Sequence, residues 1–229
     1  MIRGREVTRL EGFSDAVFGF ALTLLVVSLE VPESFPALKQ TLSGFLPFAA
    51  TFAVVSWIWF EHYLFFRHFK VEDNLTVFLN LVLLFVVLFF AYPLKFVMTR
   101  LVGGWTGHGL PANDPGYAGF TAADARLLMG AYSGGFVAVF GILALFYWNA
   151  LRQREELGLG PLELFDARSG LRRHLLSVAI GALSIVLALA MPARLFGISG
   201  FIYFLLGPAQ GVNGHRTGVA RARLKASLA

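Results

Sequence analysis

The clearest candidate for chemistry in this sequence is a carboxylate placed inside an apolar segment. Asp15 lies in the stretch 12–31, whose other residues are mostly apolar or small. A charge within a membrane span is costly and needs a partner or water. The polar side chains that could meet it are Arg9 and Ser14 on the same segment and Trp59, His62 and Asn80 on later ones. Such groups either hold helices together or set and gate the position of the first helix. Polar groups in membrane spans more commonly hold helices together, so we favour that role.

Two faces separate when the same segment is written as a helix. One is a narrow apolar stripe, and the neighbouring one carries small residues that let backbones approach closely. The stripe consists of Phe13, Phe20, Leu24 and Val27, and the small-residue face consists of Gly12, Ala16, Gly19 and Thr23. Because the small face favours close helix neighbours, we expect the stripe beside it to look into protein or toward a symmetry axis.

A second group of polar residues follows near the end of the next apolar segment. It comprises Glu61, His62, His68, Glu72 and Asp73. Their spacing matches no standard ligand pattern such as His-Glu-x-x-His, and the absence of cysteine excludes thiolate sites and disulfides. We therefore expect interfacial polar residues here, with no catalytic residue, no metal and no cofactor.

The composition identifies the environment that must position these residues. Of 229 residues, 57% are hydrophobic and 14% are charged, whereas about 25% are charged in an average soluble domain. So few charged residues cannot cover the surface of a soluble globular protein, and so high an apolar content excludes a disordered chain. The net charge of +5 is better explained by basic loops of a membrane protein than by nucleic-acid binding.

Six apolar runs of roughly 20 residues predict six transmembrane helices in an all-α integral membrane protein. They are 12–31, 42–66, 75–98, 125–151, 174–191 and 195–212. If these six segments span the membrane, 14 of the 19 Lys and Arg lie on one side of it, which predicts cytoplasmic N and C termini. We expect one six-helix transmembrane domain, 1–213, followed by a short basic cytoplasmic tail, 214–229.

The first apolar segment carries a specific motif. An arginine at position 9 precedes Phe-Ser-Asp-Ala-Val-Phe at 13–18 and Ala-Leu-Thr-Leu-Leu-Val at 21–26. This string resembles the first-helix signature of the transmembrane protein 175 family, the endolysosomal potassium channels and their bacterial homologues. Trp59 and His62 are similar to its Trp-x-x-His, and 80–93 is similar to its third span. Specific motifs carry the resemblance over about 9–93, and only the number of spans carries it over the rest of the chain.

The resemblance implies a cation channel that prefers potassium and lacks the carbonyl filter of ordinary potassium channels. Consistent with this, no Thr-Val-Gly-Tyr-Gly string occurs in the chain. A single six-span unit implies a homotetramer in the bacterial inner membrane, with monovalent cations and lipid as its other partners. The resemblance places the pore constriction at Phe20, Leu24 and Val27 and the selectivity residue at Thr23. It places a signature and interhelical network at Arg9, Phe13, Ser14, Asp15, Trp59, His62 and Asn80.

One position departs from that pattern, because the family usually has Ile or Leu where this chain has Phe20. The alternative function is a proton-coupled secondary transporter that uses Asp15 and His62 as a relay. Against it, the chain lacks a pair of Gly/Pro-broken spans in two repeat halves, which such transporters often show.

Overall fold

The computed structural model describes residues 7–27, 32–106, 121–191 and 197–228, and every regular element in these ranges is a helix. The helices are α1 (Arg9–Val27), α2 (Phe35–Ser43), α3 (Phe45–Phe69), α4 (Asn74–Thr106), α5 (Ala122–Arg152), α6 (Pro161–Ala190), α7 (Gly197–Phe201), a 3-10 turn (Ile202–Leu205) and α8 (Leu206–Ser227). The prediction of an all-α chain is confirmed.

Five of the described helices, α1, α3, α4, α5 and α6, are long and apolar enough to cross a membrane. They coincide with the first five predicted spans. The sixth predicted span, 195–212, begins outside the described residues and then covers α7, the 3-10 turn and the first part of α8. The predicted boundary between domain and tail, at 213/214, lies inside α8, so the basic segment continues a helix.

The predicted ends of the spans differ from the helix ends where polar residues extend a helix beyond its apolar part. The fifth span was predicted to begin at His174, but α6 begins at Pro161, about three and a half turns earlier. Proline suits the first helical turn, and the Glu163 carboxylate accepts a hydrogen bond of 2.8 Å from the backbone N–H of Gly160. Apolarity marks the part of a helix that lies in lipid, and it does not mark where the helix starts.

The helices pack closely where glycines face aromatic rings. An added Cβ at Gly135 would collide with the Phe90 ring on α4, and one at Gly170 would collide with the Tyr147 ring. These contacts join α4 to α5 and α5 to α6, whose interface is the most extensive in the chain. Because lipid is as apolar as the helix surfaces, the hydrophobic effect does not draw helices together in a membrane. Close packing at small residues favours their association instead.

The start of α1 is fixed by a capping box that places the signature residues. The Thr8 backbone N–H donates to the Glu11 carboxylate at 2.9 Å, and the Glu11 N–H donates to the Thr8 hydroxyl at 3.2 Å. This reciprocal pair satisfies two of the free N–H groups at a helix start. It sets the register of α1, which packs against α3 and α4.

Candidate functional site

One face of α1 is buried against α3 and α4. Its buried residues recur every three or four positions and are Glu11, Ser14, Phe18, Ala21 and Leu25. This spacing forms one side of a helix. The side of α1 that lies opposite is therefore turned away from the other described helices.

A buried polar network joins α1, α3 and α4 through the side chains of Ser14, His62 and Asn80. The Asn80 amide donates to the Ser14 hydroxyl at 2.9 Å, and the Asn80 carbonyl oxygen lies 2.8 Å from His62 Nε2. Because that oxygen can only accept, His62 Nε2 carries the proton of this bond. The Ser14 hydroxyl donates to the Leu10 carbonyl at 2.8 Å. All three side chains are fully buried. Removing any one of them would leave a buried polar partner without its hydrogen bond, which costs stability.

The predicted carboxylate of α1 meets a tryptophan of α3. Trp59 Nε1 donates to Asp15 Oδ1 at 2.7 Å. Asp15 and His62 therefore have different partners, and no direct hydrogen bond links them. Arg9 and Phe13 lie on exposed parts of α1 within one subunit, so the structure does not bring them into the buried network.

The predicted apolar stripe lies on the exposed side of α1. Phe20 is 58% exposed and Val27 is 69% exposed, and Thr23 between them is exposed as well. Leu24 is half-buried and borders a small apolar void lined by Leu88, Ala91 and Tyr92 of α4. The Thr23 hydroxyl donates to the Gly19 carbonyl at 2.9 Å.

The small-residue face predicted on α1 is open at both of its glycines in the part of the chain that the structure describes. An added Cβ at Gly12 or Gly19 would meet no atom within 4 Å. Among the described residues, none packs closely against these two glycines. The expectation that this face and the stripe look toward a second protein surface stays a prediction.

The sequence analysis missed a buried ion pair between α3 and α6. The Arg173 guanidinium donates to Glu61 Oε2 at 2.5 Å, and Trp57 Nε1 donates to Glu61 Oε1 at 3.2 Å. His174 Nε2 lies 3.7 Å from the same carboxylate. The sequence signal that Glu61 is not an interfacial residue is its place inside the predicted second span, 42–66.

Asp73, another acidic residue of that group, stabilises a helix start. Asp73 Oδ1 accepts from the Thr76 hydroxyl at 2.6 Å and from the Asn149 amide at 2.8 Å, which ties the start of α4 to the end of α5. Partial burial raises the pKa of Asp73, but these hydrogen bonds outweigh it and hold the pKa below its usual value. Among the described residues, no three His, Asp or Glu side chains are grouped to hold a metal ion.

These features define a multi-pass α-helical membrane protein whose first helix is held by buried polar contacts and presents an apolar face outward. Residues 9–90 match the family described as the endosomal/lysosomal potassium channel TMEM175. A protein of Marivirga tractuosa named "Potassium channel" is 37% identical over 228 residues, which cover 97% of this chain and 92% of the relative. The chain belongs to this family.

Two further comparisons agree with this assignment. A potassium channel of Streptomyces collinus is 32% identical over 94 residues, which cover 38% of this chain and 46% of the relative. A crystal structure of a variant of the potassium channel MtTMEM175, bound to a nanobody–MBP fusion protein, aligns with a TM-score of 0.84 at 36% identity. That alignment covers 95% of this chain and 96% of the other.

Proposed function

We propose that this protein is a potassium-permeable cation channel whose pore is formed by α1 from each of four identical subunits. The observation that carries the proposal is the outer side of α1, which is exposed along its length while the opposite side is buried. Family membership supports the ion-channel class, and the names of the relatives support potassium as the permeant ion. A channel of this kind has no catalytic site.

The constriction of the proposed pore consists of Phe20, Leu24 and Val27. Four copies of this apolar stripe around an axis would make a neck too dry for a hydrated ion, so the closed state blocks ions by dewetting. Opening widens the neck until water enters, and a hydrated or partly hydrated cation follows. The small face beside the stripe allows the four α1 helices to approach closely enough.

Thr23 is the proposed selectivity residue because it sits among the stripe residues with its oxygen available. Its hydroxyl proton is donated to the Gly19 carbonyl, so the lone pairs of the oxygen remain free to accept a cation. Four such oxygens would replace part of the hydration shell of potassium. This arrangement needs no Thr-Val-Gly-Tyr-Gly filter, and none occurs in the sequence.

We further propose six spans per subunit, with both termini in the cytoplasm of a bacterial inner membrane. The sixth span consists of the helical segments after residue 197 up to about Val212, and the rest of α8 lies in the cytoplasm with its basic residues. The distribution of Lys and Arg supports this orientation.

Single cysteines test which surface lines the pore, because the natural chain contains none. We expect a charged thiol reagent to block current through Val27→Cys by more than about tenfold, since the modified side chain occupies a narrow neck. Leu189→Cys on α6 is the matched control, because Leu189 is 72% exposed in one subunit and Val27 is 69% exposed. Current is measured in planar bilayers before and after the reagent. Equal effects at both positions, or none at Val27→Cys, would overturn the proposed pore face.

A further inference from the structure

A cavity of about 320 Å³ lies between α3, α6 and α8, away from the α1 surface. Its apolar wall is formed by Leu64 and Phe69 of α3 and Tyr147 of α5. The cavity lies beside the end of α3, where that candidate membrane span stops. Its size falls in the range of pockets that hold small molecules or parts of them, about 300–1,000 Å³.

The other wall of the cavity offers hydrogen-bond donors. Asn213 and Thr217 of α8 and Ser169 and Arg173 of α6 contribute polar side chains. Arg173 gives one nitrogen to Glu61, and its side chain is 33% exposed and lines the cavity. His68 donates through Nδ1 to the Leu64 carbonyl at 2.7 Å, so its Nε2 is not used by that bond. A guanidinium group beside hydroxyl and amide donors favours an occupant with acceptor oxygens.

The charge around the cavity favours an anion. Asp166, the acidic residue that lines it, is neutralised by Arg221, whose Nε and terminal nitrogen donate to the two carboxylate oxygens at 2.6 and 2.7 Å. The three surrounding segments, 61–73, 161–173 and 206–227, together carry nine Lys and Arg against five Asp and Glu. The cavity therefore lies in a region of positive potential although its two charged lining residues are paired.

Two glycines of α8 keep the cavity open. Gly214 and Gly218 line it one turn apart, and an added Cβ at either would meet no atom within 4 Å. Glycine in a helix costs about 1 kcal/mol relative to alanine, and here no close contact within the chain requires it. Larger side chains at these positions would fill the space without displacing a neighbour.

We propose that this cavity binds the phosphate group of an anionic membrane phospholipid, with Arg173, Asn213 and Thr217 as donors to the phosphate. Leu64, Phe69 and Tyr147 pack against the glycerol and the first acyl carbons. The membrane setting, the apolar wall and the excess of basic residues together select a lipid over a soluble anion. The bound lipid joins α8 to α3 and α6 and does not depend on the pore proposed above.

Lipid retention by cavity-filling variants tests this proposal. Purified protein in detergent is incubated with dioleoylphosphatidylglycerol, and bound lipid is counted by native mass spectrometry. We expect Gly214→Leu and Gly218→Leu each to lower the affinity for this lipid by about tenfold or more, since the added side chain displaces the phosphate from its donors. The matched control is Gly211→Leu, which is on α8 but does not line the cavity.

Two other probes separate lipid from its parts. Dioleoylglycerol has no phosphate and inorganic phosphate has no acyl chain, and we expect both to bind at least about tenfold more weakly than the phospholipid. The proposal is overturned if the filled variants retain the lipid like the control. It is also overturned if either probe binds as tightly as the phospholipid. Thermal unfolding of each variant establishes folding, and Gly218→Ala replaces any leucine variant that does not fold.

Discussion

Replacing Leu24 with asparagine is expected to raise the potassium conductance of the channel about tenfold. Leu24 is the middle residue of the proposed constriction, and an amide there would hydrogen-bond water and keep the neck wet. A tenfold rise corresponds to a barrier lower by about 1.4 kcal/mol, which is modest for the removal of a dry apolar ring. Single-channel current in planar bilayers measures the change directly.

Val26→Asn provides the matched control for that experiment. It places the same amide two residues away on α1, about 160° around the helix from Leu24, and Val26 is exposed within one subunit. Its conductance is expected to stay within about twofold of the natural protein, because the residue does not face the proposed axis. Equal conductance changes in the two variants would contradict a pore formed by the stripe of α1.

Replacing the buried carboxylate of α3 is expected to lower the free energy of unfolding by about 3 kcal/mol. Glu61→Gln leaves the Arg173 guanidinium facing a neutral amide, while the natural carboxylate accepts from both Arg173 and Trp57. Removing one partner of a buried ion pair costs about 3–5 kcal/mol. We expect the lower end, about 3 kcal/mol, because the Arg173 side chain is 33% exposed and water can partly replace its partner. Chemical unfolding in detergent measures this change.

A double variant and a surface pair separate the ion pair from a general effect of charge. Glu61→Gln combined with Arg173→Gln removes both charges, and we expect it to be more stable than Glu61→Gln alone. Glu155→Gln breaks the exposed pair with Arg154, which spans 3.6 Å, and should change the free energy of unfolding by less than about 1 kcal/mol. If Glu61→Gln alone is as stable as Glu155→Gln, Glu61 and Arg173 do not stabilise the contact of α3 with α6.

The apolar runs predicted the all-α class and the positions of five long helices, because burial in lipid demands unbroken apolar segments. They did not predict where α6 begins, since Pro161 and Glu163 start it in a polar stretch that apolarity does not register. They also gave no sign of α2, which is short and of mixed composition. Capping residues mark such starts, and the Thr8–Glu11 box at α1 could have been recognised from sequence.

The polar contacts of α1 were predictable as a set of residues but not as pairs. Asp15, Trp59, His62 and Asn80 stood out because polar groups are rare in apolar spans. Which atom meets which depends on the rotation of α3 and α4 relative to α1, and helical periodicity in a single sequence does not fix it. The pair of Glu61 with Arg173 was missed for the same reason, because its partners are 112 positions apart.

The reversal potential under opposing gradients of potassium and sodium tests the central claim most directly. Purified protein is fused into planar bilayers from liposomes, with potassium high on one side and sodium high on the other. A selective potassium channel with Thr23 oxygens at its neck predicts a reversal potential near the potassium equilibrium potential. A reversal potential near zero, or a saturable uptake with no ionic current, would contradict the account.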